Sequence, residues 1–451
     1  MEKIIITGAG LAGSLLAIMM AKRGFEVAVY ERRPDMRKVD ISAGRSINLA
    51  LSDRGIAALQ KVGLDEVILS KAIPMFGRLI HPISGELDLQ PYSGRSNDYI
   101  NSISRGELNK ILLNAAESYP NLQLRFNVRC EGMDLETGTV RFVDELTHQH
   151  FSETADVTLA ADGANSAIRN EMYHHAPKLR FTFSQNYLKH GYKELYIPPN
   201  KNGGFRMDQN ALHIWPRKSY MLIALPNTDG SFTATLFMAF DGEDSFEKLD
   251  NPEAITSFFE KEFPDVIPHI PDLVENFQNH PASALATIKC YPWQVNGKAL
   301  LIGDAAHAVV PFYGQGMNCA FEDCLILDKL IEELGPDWNL VLNTYQMMRK
   351  ADTDAIGELA EENYYEMRDH VANPVYQKKK DLDLILEQNF ENFDSKYSMV
   401  TFREDLPYSV AMRKGRAQDK LLTEICQQVN NIHSLDLHAV LEQVIQLHLK
   451  G

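Results

Sequence analysis

Residues 3–13, Lys-Ile-Ile-Ile-Thr-Gly-Ala-Gly-Leu-Ala-Gly, decide the fold of the N-terminal part of the chain. The apolar run at 4–6 has the character of a short buried strand. A G-x-G-x-x-G turn follows it, and apolar residues then continue to about Arg23 as a helix. Gly24 ends that helix, and residues 26–30 have the pattern of a second strand. The pattern predicts a βαβ unit that binds a dinucleotide.

Each glycine of this turn has a separate physical task. Gly8 permits the tight turn, Gly10 lets the backbone approach a pyrophosphate, and Gly13 lets the helix pack closely on the strand. The helix that starts at Leu11 and Ala12 directs free N–H groups and a positive dipole end toward the phosphates.

An acidic residue follows the second strand at Glu31. A carboxylate at this place can accept hydrogen bonds from ribose hydroxyls, and it would repel a 2′-phosphate. The site therefore suits FAD or NAD better than NADP, and this motif alone does not choose between FAD and NAD.

Two later motifs place an acidic residue and a glycine after a predicted strand. Residues 162–169 read Asp-Gly-Ala-Asn-Ser-Ala-Ile-Arg, and residues 303–307 read Gly-Asp-Ala-Ala-His. Ligands of open α/β sheets bind at the carboxyl ends of strands, so Asp162 and Asp304 are candidates for the cofactor site. Asp304 can accept a hydrogen bond from a ribityl hydroxyl.

A second glycine-rich turn precedes a predicted helix near 316–333. Gly314 and Gly316 leave backbone N–H groups accessible, and Met317 and Asn318 follow at the helix start. A helix start favours negative charge, which suits the O2/N1 side of a reduced flavin.

The three motifs in this order strongly resemble those of the single-component flavoprotein aromatic hydroxylases, over roughly residues 1–370. This resemblance implies FAD as cofactor, a β-sheet substrate domain, and NADPH taken up without a second nucleotide fold. No second G-x-G-x-x-G occurs in the sequence. The resemblance also assigns Arg105, Arg32 and Val128 to the cofactor, with Arg45 as a further candidate.

Further segments are similar to the kynurenine-hydroxylating branch of that family, nearly from end to end. These segments are 44–52, 77–78, 89–92, 190–195, 212–216, 362–364 and 397–402. The resemblance implies hydroxylation of L-kynurenine at ring position 3 with NADPH and O2, through a flavin C4a-hydroperoxide, to give 3-hydroxy-L-kynurenine and water. A flavoprotein hydroxylase of another aromatic acid is the alternative.

The same resemblance assigns the substrate contacts. An arginine can hold a carboxylate bidentately and a tyrosine hydroxyl can add a bond, and these roles fall to Arg78 and Tyr92. Asn363 and Tyr397 match contacts near the amino-acid head, and Phe312 is expected to border the ring.

No catalytic acid or base and no metal ligand is assigned. Tyr313 stands where some bacterial relatives carry histidine, so no obligatory imidazole is assigned there. His307 is expected to be structural.

The predicted fold class is α/β plus α+β, with a Rossmann-like FAD-binding domain interleaved with an antiparallel β-sheet substrate domain and a helical C-terminal region. We assign 1–75, 100–178 and 290–370 to the FAD domain, 76–99 and 179–289 to the substrate domain, and 371–451 to the helical region. We expect 374–451 to pack over the substrate pocket, because Tyr397 lies within it.

Composition excludes several other classes. The 451 residues carry a net charge of -16, which argues against nucleic-acid binding. No stretch approaches the ~20 apolar residues that span a bilayer, the start does not read as a signal peptide, and the segment 435–449 is amphipathic. We therefore expect no transmembrane anchor.

Five scattered cysteines without C-x-x-C favour reduced thiols and a cytoplasmic protein.

The sequence leaves one question open and makes three other kinds of protein less favoured. The oligomeric state is open, with a homodimer as one alternative. An NAD-dependent dehydrogenase, or a dinucleotide-binding protein without catalysis, is disfavoured by the motifs at 162 and 303. A tryptophan halogenase is disfavoured because Trp215, Trp293 and Trp338 lie far apart.

Overall fold

The buried strand Lys3–Thr7 leads through the glycine turn into the helix Leu11–Lys22, as the sequence predicts. This computed structural model describes residues 2–39, 48–367 and 373–450. The strand pairs in parallel with Glu26–Glu31 on one side and with Val157–Ala160 on the other. Its position inside the sheet explains why its sequence is continuously apolar instead of alternating.

The sheet around this strand has six members. In spatial order they are Gln294–Val295, Ala299–Leu301, Val157–Ala160, Lys3–Thr7, Glu26–Glu31 and Leu122–Phe126. Every pair is parallel except the first, which is antiparallel. Parallel strands end at the same edge of a sheet, so the segments after these strands emerge side by side.

This sheet belongs to the first of two compact units, which comprises Met1–Lys71, Ile103–Tyr187 and Ala286–Gly357. Its further strands are Asn48–Leu51 and the antiparallel sheet Val128–Asp134, Thr139–Asp144 and His150–Thr154. Its further helices are Asp53–Val62, Asp65–Leu69, Arg105–Glu117, Ala167–His174, Ala176–Leu179, Asp304–His307, Gly316–Leu334 and the start of Trp338–Tyr365.

The second unit comprises Ala72–Ser102, Leu188–Leu285 and Glu358–Gly451. Its seven-stranded sheet has the order Ser283–Tyr291, Thr182–Ile197, Phe232–Ala239, Tyr220–Pro226, Ala211–Arg217, Gly77–Ile80 and Asp88–Pro91. A short antiparallel pair, Ile73–Met75 with Ile100–Ser104, is also present.

One pairing in this sheet differs from the antiparallel prediction. Gly77–Ile80 runs parallel to Ala211–Arg217. The two strands are joined by a long excursion of the chain through the first unit, and a parallel pair requires such a crossover and not a hairpin. The sheet is therefore mixed, with one parallel neighbour.

Aromatic side chains fill the core beneath this sheet. Phe259 lies with its ring centroid 5.5 Å from that of Phe263 and 6.2 Å from that of Phe277. Phe259 lies on the helix Pro252–Glu262, Phe263 directly follows that helix, and Phe277 lies on the helix Leu273–Asn279. All three belong to the same buried cluster as Trp215 of the sheet.

The C-terminal helices pack as part of the second unit. The sequence-based division assigns 371–451 to a separate helical region. The helices are Pro374–Asn389, Lys396–Thr401, Tyr408–Gln428 and Leu437–Lys450. Asn373 caps the first of them, so Pro374 begins a helix at its first turn. Within the described ranges, no helix combines the length and apolar character that crossing a bilayer requires.

Replacing Phe259 with alanine tests this core. The ring is fully buried, so its removal leaves a cavity and we expect a loss of about 3–5 kcal/mol in the free energy of unfolding, measured by urea denaturation. The control Ile83→Ala removes a side chain that is 66% exposed and should change stability by less than about 0.5 kcal/mol. Equal effects of the two changes would contradict the assigned core.

Candidate functional site

The three sequence motifs meet at the carboxyl edge of the six-stranded sheet. Gly8 N–H donates to Tyr30 O at 2.7 Å, and Ala161 N–H donates to Thr7 O at 2.9 Å. Ile302 N–H continues the series by donating to Ala160 O at 3.0 Å. The segments that carry Gly8, Asp162 and Asp304 therefore leave the sheet as neighbours.

The glycines of the first motif divide into two structural residues and one open position. Gly8 has φ +92°, and a Cβ there would lie 2.5 Å from Ala161 O. A Cβ on Gly13 would lie 2.0 Å from Gly8 O, whereas a Cβ on Gly10 would meet nothing within 4 Å. Gly8 and Gly13 are therefore required by the turn itself, and Gly10 faces open space at the helix start, where a ligand can approach.

Glu31 holds this turn as well as facing the edge. Its carboxylate accepts one hydrogen bond from Ala9 N–H at 2.9 Å and three from Arg33, through the backbone N–H and two guanidinium nitrogens. Burial opposes ionisation, but Arg33 outweighs it and lowers the pKa of Glu31. For a ribose hydroxyl to donate to the Glu31 carboxylate, the Arg33 side chain, which is 60% exposed, would have to move away from it.

Asp162 presents a buried oxygen that lacks a protein partner. Its Oδ2 accepts from Ala167 N–H at 2.9 Å, while Oδ1 is buried with no hydrogen-bond partner among the described residues. Burial raises the pKa of this carboxyl. An unpartnered buried oxygen is costly, and a ligand hydroxyl donating to Oδ1 would satisfy it.

Arg169, the last residue of the second motif, ties it to the third. Its Nη1 donates to Ala305 O at 3.0 Å, and its Nη2 donates to Ala164 O. The motif includes this arginine, but its spacing does not reveal the role.

The third motif and the helix start at 316 are arranged for a ligand. Asp304 is exposed at the first position of Asp304–His307. Gly316 begins Gly316–Leu334, a long helix whose N-terminal N–H groups favour negative charge. The Asn318 amide is committed to the protein, donating to Ala50 O and Gly314 O and accepting from Ser52 N–H. Residues 316–318, which the sequence predicts to bind the cofactor, would therefore contact a flavin through their backbone N–H groups.

The remaining predicted cofactor residues lie in the same unit. Arg105 is exposed at the start of a helix that Ser104 caps, and Val128 is buried at the start of its strand. Arg32 is exposed, while its neighbour Arg33 pairs with Glu31. Arg45 lies outside the described residues.

A buried charge network anchors the third motif, and the sequence motifs do not reveal most of it. Asp323 accepts from Arg349 Nε at 2.7 Å and from Gly303 N–H at 3.3 Å, and its Oδ2 lies 2.5 Å from His307 Nε2. Arg349 also pairs with Glu322 at 2.6 Å, and Glu322 lies 2.6 Å from Arg54 Nη1. Burial disfavours the charged carboxylate, but His307 and Arg349 outweigh it and lower the pKa of Asp323.

His307, Cys319 and Asp323 also bring possible metal-ligand atoms within 4.8 Å of one another. Both oxygens of Asp323 are already engaged by His307, Gly303 and Arg349. The group therefore has the chemistry of an internal anchor, with His307 in a structural role.

The donor and acceptor set at this edge fits the FAD that the sequence predicts. Gly10 is open to a pyrophosphate, one oxygen of Asp162 has no partner among the described residues, Asp304 is exposed, and the start of the helix at Gly316 is partly exposed. Hydroxyl donors and an anionic ring would satisfy these groups.

Three of the predicted substrate residues, Arg78, Tyr92 and Tyr397, lie together in the second unit. The rings of Tyr92 and Tyr397 are stacked, with centroids 5.5 Å apart and planes 9° apart. Arg78 Cζ lies 4.8 Å from the Tyr397 centroid and 5.6 Å from that of Tyr92. The Tyr92 hydroxyl is buried without a hydrogen-bond partner in the described residues. Burial raises the pKa of both hydroxyls, so both remain protonated.

Arg78 also lines a cavity of about 30 Å³ beside the helix Pro374–Asn389. Met367 lines this cavity too, and the buried Asn363 donates to Met367 Sδ at 3.5 Å. Phe312, the fifth predicted substrate residue, is buried in the first unit, in the short turn Pro311–Tyr313.

Alanine at Gly13 and at Gly10 should have opposite effects. Gly13→Ala forces a methyl against Gly8 O and should cost about 1–3 kcal/mol of unfolding free energy in flavin-free protein. Gly10→Ala should leave that value within about 0.5 kcal/mol and lower the FAD retained on purification, measured by absorbance. Equal losses of unfolding free energy in the two variants would contradict the different roles assigned to Gly13 and Gly10.

Removing the Asp323 charge should destabilise the first unit. Asp323→Asn leaves the buried Arg349 guanidinium short of a counter-charge, with an expected cost of about 3–5 kcal/mol in chemical denaturation. Asp304→Asn changes an exposed carboxylate of the same turn and should leave flavin-free stability nearly unchanged. A neutral result for Asp323→Asn would show that the network does not anchor the turn.

Comparisons with known proteins identify the family of the chain. A family model described as an FAD binding domain matches residues 1–358. A kynurenine 3-monooxygenase from Myxococcus xanthus (strain DK1622) is 44% identical over 444 residues, covering 98% of this chain and 95% of the relative. A kynurenine 3-monooxygenase from Dictyostelium discoideum is 43% identical, covering 99% of this chain and 98% of the relative.

The solved structures show the same fold at greater distance. The tetrameric form of 2-methyl-3-hydroxypyridine-5-carboxylic acid oxygenase aligns with a TM-score of 0.67 at 19% identity, over 85% of this chain and 97% of that chain. This likeness concerns the fold alone. Because the family model spans most of the chain and the two relatives span nearly all of it, the chain belongs to the FAD-binding-domain family and, within it, to the kynurenine 3-monooxygenases.

Proposed function

We propose that the chain is an NADPH-dependent flavoprotein monooxygenase that hydroxylates L-kynurenine at ring position 3. Kynurenine, O2, NADPH and one proton give 3-hydroxy-L-kynurenine, NADP⁺ and water. The observation that carries the proposal is the Arg78 guanidinium beside the stacked rings of Tyr92 and Tyr397. A fixed cation with protonated hydroxyls beside it suits the carboxylate of a small aromatic amino acid. The relatives' names favour kynurenine among such acids.

The first unit is proposed to hold FAD. When bound, FAD supplies the hydride acceptance and oxygen activation that the reaction requires. The open position at Gly10 and the start of Leu11–Lys22 would receive the pyrophosphate. Asp162 and Asp304 would accept hydrogen bonds from cofactor hydroxyls. The start of the helix at Gly316 would favour negative charge on the ring system.

The second unit is proposed to hold the substrate. Arg78 would bind the carboxylate, the hydroxyl of Tyr92 would donate to it, and Asn363 and Tyr397 would contact the amino-acid head. That Phe312 borders the ring stays a prediction from the resemblance. The ring's own amino group activates the position to be hydroxylated, so the chain's tasks are to orient the ring and to exclude water. No side chain is proposed as a general acid or base.

Two further proposals concern the setting of the protein. All five cysteines are unpaired and four of them are buried, which supports a reducing compartment such as the cytoplasm. A homodimer is the assembly to test first, by light scattering.

The reaction is tested by incubating FAD-loaded protein with kynurenine, NADPH and O2. We expect one 3-hydroxykynurenine per NADPH consumed. NADPH oxidation without hydroxylated product would reject kynurenine as substrate and favour the alternative, another aromatic acid with a carboxylate.

Arg78 provides the matching variant test. Arg78→Met should raise KM for kynurenine by about 10- to 100-fold, because a hydrogen bond to a charged group contributes roughly 1.5–3 kcal/mol. Arg95→Met, which removes an arginine paired with Asp394 in the same unit, is the control and should leave KM nearly unchanged. An unchanged KM in Arg78→Met would contradict the assignment.

A further inference from the structure

We propose that Lys380 is a second cationic ligand of the substrate carboxylate, acting with Arg78 across the cavity beside the helix Pro374–Asn389. The inference rests on the proposed function and extends it, because Arg78 is the only cation that the resemblance assigns to the carboxylate. It makes Lys380 a specificity-determining residue for an acidic substrate.

The cavity has the size and the polar lining that this role requires. Its volume of about 30 Å³ has room for one or two water-sized groups, such as the oxygens of a carboxylate. Among the described residues its polar lining consists of Arg78, Gln90, Tyr376, Gln377 and Lys380, and none of these is acidic. Two cationic side chains in this part of the lining favour an anionic guest.

Local structure explains why these side chains converge. Arg78 lies opposite Gln90 in the antiparallel pair formed by Gly77–Ile80 and Asp88–Pro91. Tyr376 and Lys380 are four residues apart on one helix, so they share a face. That face lines the cavity together with the strand residues.

Lys380 differs from the lysine beside it. Lys379 lies 2.8 Å from Asp383 and also pairs with Asp419, and these carboxylates outweigh burial and raise its pKa. Among the described residues, Lys380 has one hydrogen-bond partner, the neutral Gln90 side chain, and no ion pair. Its ammonium group therefore has donors available for a ligand.

The charges around Lys380 make its protonation responsive to a guest. Burial and the nearby Arg78 lower its pKa to about 7, with Lys379 acting in the same direction and Asp88 and Asp381 opposing them. Above pH 7 the amine is therefore mostly neutral. An anion bound beside it favours the charged form, so carboxylate binding draws in a proton. Arginine stays charged at all working pH and cannot contribute to this uptake.

The experiment is calorimetric titration of the FAD-loaded protein with kynurenine at pH 8, without NADPH, in buffers of different ionisation enthalpy. We expect an uptake of most of one proton per kynurenine. Lys380→Met should bind about tenfold more weakly and lose the uptake. Lys380→Arg should retain the affinity and also lose the uptake, which a merely structural role would not produce.

Two controls complete the design. Lys378→Met changes a lysine of the same helix that donates to Val429 O at 3.0 Å, and it should keep the proton uptake. The decarboxylated analogue of kynurenine should bind without uptake and should not distinguish Lys380→Met from the original protein.

The outcomes separate the two proposals. Uptake that persists in Lys380→Met and Lys380→Arg would overturn the role of Lys380 while leaving kynurenine hydroxylation intact, as would absence of uptake in the original protein. Failure of the FAD-loaded protein to bind kynurenine would overturn both.

Discussion

The parallel pairing of Lys3–Thr7 with its neighbours is the constraint on which the rest of the site depends. It aligns strands from the beginning and the middle of the chain, and Ala299–Leu301 joins them on the far side of Val157–Ala160. Three motifs that are remote in sequence thereby emerge at one edge. Neighbouring segments of the same unit then carry the turn at Gly10, which is open to a phosphate, the Asp162 carboxylate and the start of the long helix Gly316–Leu334.

The buried charges behind that edge keep it in shape. Arg169 binds the carbonyl of Ala305, and Asp323 holds both Gly303 and His307. Charged groups buried to this extent are stable only when they are fully paired, so the network specifies one arrangement of the turn. The chain thus separates its tasks: these groups fix the backbone, and the exposed Asp304 remains available to a cofactor.

The sequence predicts most of the first unit because its signals are local. Strand length, the glycine spacing and the apolar helix all lie within the first 31 residues, and the structure has them where expected. The parallel neighbour Gly77–Ile80, the Asp323–Arg349 pair and the Glu31–Arg33 arrangement were not predicted. The first two depend on tertiary packing between remote segments, which a single sequence does not display. The Glu31–Arg33 arrangement depends on which of two adjacent arginines, Arg32 or Arg33, pairs with Glu31. The assignments of Arg78 and Tyr92 came from resemblance. The Tyr92 hydroxyl, which has no hydrogen-bond partner in the described part of the chain, gives the assignment of Tyr92 a physical reason.

The central claim is that the carboxyl edge of the six-stranded sheet is an FAD site. The most direct measurement is the absorbance spectrum of the purified protein together with chromatographic identification of the dinucleotide that acid releases from it. We expect an oxidised-flavin spectrum and one FAD per chain. Release of NAD, or failure to bind added FAD, would contradict it.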